Sequence, residues 1–218
     1  FVLLAFAAQS LSASLLSILN ATTPTFGAIV LAAWTRTRPT PRVLVGLVIG
    51  LVGVGIVLGL DTIRAPGGGL AVAACLGATL SYGIATTYTK LNAGDDAFAS
   101  AHGSMWGAAI LVLPLALAFP PQAVPGPGVI AALLALGVLS TGIAYLLYFR
   151  LVTEVGPTSA LTVTFLIPVF GVLWGVMFLG EEVGWNTFVG ALVVLIGTAL
   201  VTGFRVPGLS RLAASSRS

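Results

Sequence analysis

The sequence predicts an all-α polytopic membrane protein built as an inverted repeat of five-helix units. Three observations predict it. Charged residues make up 7% and hydrophobic residues 58% of the 218 positions, whereas a soluble domain carries about 25% charge. Apolar runs of spanning length recur along the chain, separated by short polar or Pro/Gly breaks. A stretch of two helices then returns, without a gap, at an offset of 144 residues. A mean hydropathy of +1.11 leaves too little polar surface to cover a globule of this size.

The elements follow in order. Phe1–Ala8 is apolar but too short to span, since a helix needs about 20 residues to cross the hydrocarbon. No basic stretch precedes it, so it does not read as a signal peptide, and the simplest account is a chain cut inside a helix. Full spans are expected at Ser10–Trp34, Val43–Leu60, Leu70–Tyr88, Phe98–Ala118, Val129–Phe149, Thr158–Leu179 and Thr187–Phe204. That makes seven full spans plus the stub at Phe1. Continuous runs of this length are helices; barrel strands would show as runs of about ten alternating residues. The basic, Ser/Ala-rich end of the chain reads as a disordered tail.

Orientation comes from the connections. Arg36, Arg38, Arg42, Lys90, Arg150, Arg205, Arg211 and Arg217 fall on one side, and only Arg64 on the other. Basic residues mark the cytoplasmic face, so a multi-pass protein of the cell (inner) membrane with its C-terminus in the cytoplasm is expected. Trp34 and Trp185 fall near opposite faces, as interface aromatics do. The net charge of +3 is therefore a property of the membrane boundary, not a nucleic-acid surface.

The repeat aligns Asn20–Gly59 with Thr164–Gly203. Pro24, Phe26 and Gly27 fall on Pro168, Phe170 and Gly171, and Gly46, Gly53 and Gly59 fall on Gly190, Gly197 and Gly203. Matches at Pro and Gly are informative because each constrains the backbone. The span near Leu70 would open a second unit of five helices, and an odd number of spans inverts that unit relative to the first. The expected organisation is the C-terminal part of one unit in residues 1–61, a second unit in 69–204, and a cytoplasmic tail in 205–218.

Several strings resemble the EamA-type drug/metabolite transporter family. Leu136-Gly137-Val138-Leu139-Ser140-Thr141-Gly142-Ile143-Ala144-Tyr145 is similar to its "LG..GTA.AY" helix. Leu166-Ile167-Pro168-Val169-Phe170-Gly171-Val172-Leu173-Trp174-Gly175 is similar to its "PVF..L.G" helix, and Leu179-Gly180-Glu181-Glu182 to its "LGE" turn. Gly190 and Gly197 sit where its last helix has "G..LI..G". The resemblance implies ten helices when complete, in two inverted halves, and movement of small metabolites without ATP hydrolysis. One departure stands out: Thr35-Arg36-Thr37-Arg38 occupies the place of the Gly-Glu turn in the first half.

The residues themselves limit the chemistry. No charged residue lies in the middle of an expected span, and buried ionisable groups are the usual mark of a proton relay. The acidic residues Asp61, Asp95, Asp96, Glu154, Glu181 and Glu182 all sit at helix ends or in loops, where they read as solvated charge. Cys75 is a lone cysteine and cannot form an internal disulfide or a CxxC metal site. His102 has no second histidine and reads as interfacial. No nucleophile elbow, zinc site or P-loop is present in the sequence, so neither an enzyme, a metal nor a cofactor is expected.

What remains inside the spans is neutral. Ala13, Ser17, Asn20, Pro24 and Gly27 follow helical spacing and make one small, polar face, expected to look inward. Asn20 is the most telling, because an amide in the bilayer needs a partner. Pro24 and Pro168 interrupt hydrogen bonding at matching positions, a pointer to a binding site. Tyr82 and Thr86, then Thr141, Tyr145 and Tyr148, form stripes at helical spacing. Thr164 aligns with Asn20, and Trp174 lies inside its span. The expected substrate-binding set is thus Asn20, Pro24, Tyr82, Thr86, Thr141, Tyr145, Thr164, Pro168 and Trp174. Hydroxyls and aromatic faces suit a small amino acid or an amphipathic or cationic compound. Gly46, Gly50 and Gly53, like Gly171 and Gly175, are expected to let helices approach closely. The expected activity is secondary transport, most readily efflux, by alternating access. The alternative is a non-transporting membrane sensor or assembly partner with the same fold. The expected partners are a small-molecule substrate and the lipid bilayer, with a homodimer as an open alternative and no nucleic acid.

Overall fold

The structure, a computed structural model, describes residues 1–92, 97–120, 124–144, 146–147, 150, 154 and 162–203. Every regular element among them is helical: α1 (Val2–Ala7), α2 (Ala13–Asn20), α3 (Thr23–Thr35), α4 (Pro41–Arg64), α5 (Gly68–Leu91), α6 (Ala97–Ala118), α7 (Pro127–Ala135), a π-helical stretch (Leu136–Ile143), α8 (Thr162–Leu179) and α9 (Trp185–Thr202). Among the described residues, four stretches are long and apolar enough to cross a membrane: Ala13–Thr35, Pro41–Gly59, Gly68–Leu91 and Trp185–Thr202. The shorter apolar helices His102–Ala118, Pro127–Ile143 and Phe165–Leu179 overlap the other three expected spans, parts of which lie outside the described residues. The chain divides into two compact units, one of residues 1–91 with 163 onward, the other of residues 92–162.

The first expected span differs from a single helix. It is two helices, α2 and α3, with a break at Ala21 and Thr22. Pro24 has no N–H to give the Asn20 carbonyl, so the ladder cannot run through. Thr22 keeps right-handed angles at φ −80°, ψ −4°, and α3 starts afresh after it with Pro24 in its first turn. Pro168, at the aligned position, lies inside an assigned helix instead. The second span ends where expected: Gly59 takes φ +57°, ψ 175°, a conformation open to glycine alone, and turns α4 at that point.

The tightest packing in the first unit joins α4 to α9, running antiparallel. Its cause is glycine. A Cβ at Gly53 would stand 2.6 Å from the Val194 N and 3.1 Å from the Gly190 O. One at Gly197 would stand 2.5 Å from the Gly50 N and 2.8 Å from the Gly46 O. The contact is reciprocal at the offset of 144 residues. Gly46 meets Gly197 as Gly53 meets Gly190, Gly53 meets Val194 as Gly197 meets Gly50, and Gly190 meets Val57 as Gly46 meets Val201. Positive φ angles recur at the same offset: Arg36 (φ 54°) with Gly180 (φ 64°), and Gly59 (φ 57°) with Gly203 (φ 71°).

The core of this unit gathers Ile18 and Leu19 of α2, Val54, Val57 and Leu58 of α4, Ala71 and Cys75 of α5, and Val194 of α9. Cys75 is buried, a small apolar filler. In the second unit, Leu136–Ile143 winds as a π-helix, where the Thr141 hydroxyl reaches back five residues to the Leu136 carbonyl at 3.4 Å. Such stretches widen a helix and are frequent at functional positions.

Candidate functional site

The broken span carries the densest polar architecture. At the break, hydroxyls take over the role of missing amides. Thr23 Oγ1 donates to the Asn20 carbonyl at 2.7 Å, and Thr22 Oγ1 to the Leu19 carbonyl at 2.6 Å. From α9, Thr198 Oγ1 donates to the Ala21 carbonyl at 3.1 Å. These bonds satisfy carbonyls that lipid could not. Thr25, one turn on, is 3% exposed, and its hydroxyl has no hydrogen-bond partner among the described residues.

The expected small polar face is half-buried throughout: Ala13, Ser17, Asn20, Pro24 and Gly27 share this exposure. The fully buried face lies beside it, through Ser14, Ile18, Ala21, Thr22 and Thr25. Asn20 Oδ1 receives a long bond of 3.4 Å from Thr23 Oγ1. Gly27 packs on Gly83 of α5, whose Cβ would stand 2.8 Å from the Gly27 N. This draws Thr86 to the same face: a Cβ at Gly27 would lie 3.7 Å from Thr86 Oγ1. Thr87 Oγ1 donates to the Gly27 carbonyl at 3.3 Å. Thr86 spends its own hydroxyl on the Tyr82 carbonyl at 2.9 Å, and Tyr82 takes the Phe1 ring edge-on at 6.0 Å.

The remaining expected residues are spread more widely. Pro168 is buried in α8. Trp174, 46% exposed, sits in a stripe with Phe170 and Phe178, at ring distances of 6.2 and 5.2 Å. Thr141 belongs to the second unit. Tyr145, Tyr148, Asp95, Asp96 and the tail from Phe204 onward lie outside the described residues, as does the side chain of Thr164.

One residue read as solvated loop charge has a different setting. Glu181 follows Gly180, whose left-handed φ of 64° ends α8 and lets the Glu181 N–H reach back to the Gly175 carbonyl at 3.1 Å. This aims its carboxylate at the start of α2. Oε1 accepts from the Ala13 N–H at 2.6 Å, and Oε2 accepts from the Ser14 N–H at 3.0 Å and from the Ser14 hydroxyl. Ser12 supplies the local cap, its hydroxyl accepting from the Leu15 N–H at 3.2 Å. A negative group at a helix N-terminus is stabilised by the unpaired amides there. Burial would raise the Glu181 pKa, but the bonds from Ser14, Ala13 and Ser12 outweigh it, so the pKa is lowered below the ordinary carboxylate value.

Glu181 borders a pocket of about 230 Å³, whose wall includes Ser12, Val57, Thr62, Glu182 and Asn186. It opens at the α2 start, the end of the broken span away from Arg36, Arg38 and Arg42. The sequence signal for Glu181 was the Leu179-Gly180-Glu181 turn, which names a position but no partner.

Comparison with known proteins adds an identity to this geometry. The model of the EamA-like transporter family matches residues 69–203. The chain is 27% identical over 207 residues to an uncharacterized transporter, YoaV, of Bacillus subtilis (strain 168), covering 92% of this chain and 70% of the relative. It is 28% identical over 95 residues to an uncharacterized transporter of Archaeoglobus fulgidus, covering 43% of this chain and 33% of the relative. No solved structure matches. With apolar helices of spanning length and a family match over most of its length, the chain belongs to the EamA-like transporter family.

Proposed function

We propose that the protein is a secondary transporter that exports a small metabolite across the cytoplasmic membrane by alternating access. The observation that carries this reading is the reciprocal α4–α9 contact. Glycines that recur at an offset of 144 residues meet each other as a two-fold axis requires. Two inverted halves joined at such an axis can rock about a site near the membrane midplane. The broken span supports a site there, because its polar groups are neutral and its Gly27 lies beside Thr86 of α5.

The proposed substrate set is Asn20, Pro24, Tyr82, Thr86, Thr141, Tyr145, Thr164, Pro168 and Trp174. Amide, hydroxyl and aromatic groups without a formal charge suit a small amino acid or an amphipathic or cationic compound. The arginine distribution supports a cytoplasmic C-terminus.

The test is metabolite profiling of the medium around bacteria expressing the full-length protein, with Asn20→Leu and Tyr145→Ala as controls. A compound enriched outside only with the wild type establishes export and names the substrate. Equal enrichment with both variants would overturn the site. No enrichment from inserted wild-type protein would overturn export and favour a non-transporting membrane partner.

A further inference from the structure

We infer that Glu181 is a positioning residue that latches one end of the transport pathway. The carboxylate belongs to the turn between α8 and α9, and its partners, the Ala13 and Ser14 amides and the Ser14 hydroxyl, open α2. The two segments stand 167 and 168 residues apart in sequence. In the inverted-repeat reading, they belong to opposite halves. A bond set across the halves, at one mouth, must break whenever that mouth opens.

The surrounding packing is built for this bond. A Cβ at Gly175 would stand 2.5 Å from Glu181 Oε2 and 2.7 Å from Ser14 Oγ, so glycine alone lets the carboxylate and α2 close together. Gly171, one turn earlier, sits against Ser17 in the same way. The pocket of about 230 Å³ lies at this junction, with Val57, 2% exposed, in its wall.

The aligned turn of the first half carries no carboxylate. At the aligned turn of the first half stands Thr37, with Arg36 in the left-handed position that Gly180 holds in the second. Thr37 Oγ1 lies 2.8 Å from Thr35 Oγ1, a local pairing within its own turn. A carboxylate bonded to helix amides holds more strongly than a neutral hydroxyl does. The resting protein is therefore closed at the Glu181 end, away from the arginine-rich face.

The inference rests on the transport reading for its consequence, not for its measurement. Purified full-length protein carrying Val57→Cys is treated with N-ethylmaleimide, and labelling at each thiol is followed by mass spectrometry. Adding Glu181→Gln puts an amide donor against helix N–H groups. Labelling of the Val57→Cys thiol is expected to speed up about tenfold, the scale of one lost charged hydrogen bond. Cys75, buried in the core on α5, reports general unfolding and is expected to stay unlabelled. Glu182→Gln alters the exposed neighbouring carboxylate and is expected to leave the rate unchanged. Unchanged labelling with Glu181→Gln overturns the latch. Faster labelling of both thiols also overturns it, because Glu181 would then hold the fold and not one mouth. Faster opening without any flux in the export assay would leave the latch standing and remove the transport reading.

Discussion

At the scale of single residues, burial and partner decide what a polar group does. Glu181 and Glu182 are adjacent and chemically alike. One accepts helix amides from a distant segment, and the other is exposed. The pH dependence follows with a definite sign. The folded pKa of Glu181 is depressed, so its stabilisation is present above the unfolded value and is lost as pH falls through the folded one. The melting temperature of the wild type is therefore expected to fall on acidification below the usual carboxylate range. The gap between wild type and Glu181→Gln should shrink over the same window. A gap that holds constant down to acid pH would exclude the charged bond.

At the scale of elements, glycine spacing has a measurable consequence because neighbours on one helix differ. Both Gly53 and Gly55 lie in α4, two positions apart. A Cβ at Gly53 would meet the α9 backbone at 2.6 Å, while one at Gly55 meets nothing within 4 Å. Gly53→Ala is expected to destabilise the protein by about 1–3 kcal/mol, as overpacking does. Gly55→Ala is expected to stabilise it by up to about 1 kcal/mol through helix propensity. Thermal unfolding in detergent measures both, and equal effects would sink the packing account. The small-residue face on α4 was legible in sequence, since small residues at helical spacing permit close approach. The break between α2 and α3 was half-legible. Pro24 announced an interruption, but the hydroxyls that heal it come from Thr22, Thr23 and the remote Thr198.

At the scale of the whole molecule, the charge distribution makes a topological prediction. Antiparallel α4 and α9 place Pro41 and Thr202 at the same side. A reporter fused after the C-terminus is expected to fluoresce as green fluorescent protein and to be inactive as alkaline phosphatase. One fused in the loop at Pro66 is expected to show the reverse. Matching signals at both points would overturn the span count. Composition determined the class and the solvent, because lipid admits only chains that satisfy their backbone locally. The repeat at 144 residues was likewise legible, through the Pro and Gly positions that bend or crowd a backbone. Which glycine meets which, and that Glu181 reaches Ala13 and Ser14, only the tertiary structure decided. Those contacts join segments more than a hundred residues apart, and local pattern carries no information about a partner that chain folding alone brings near.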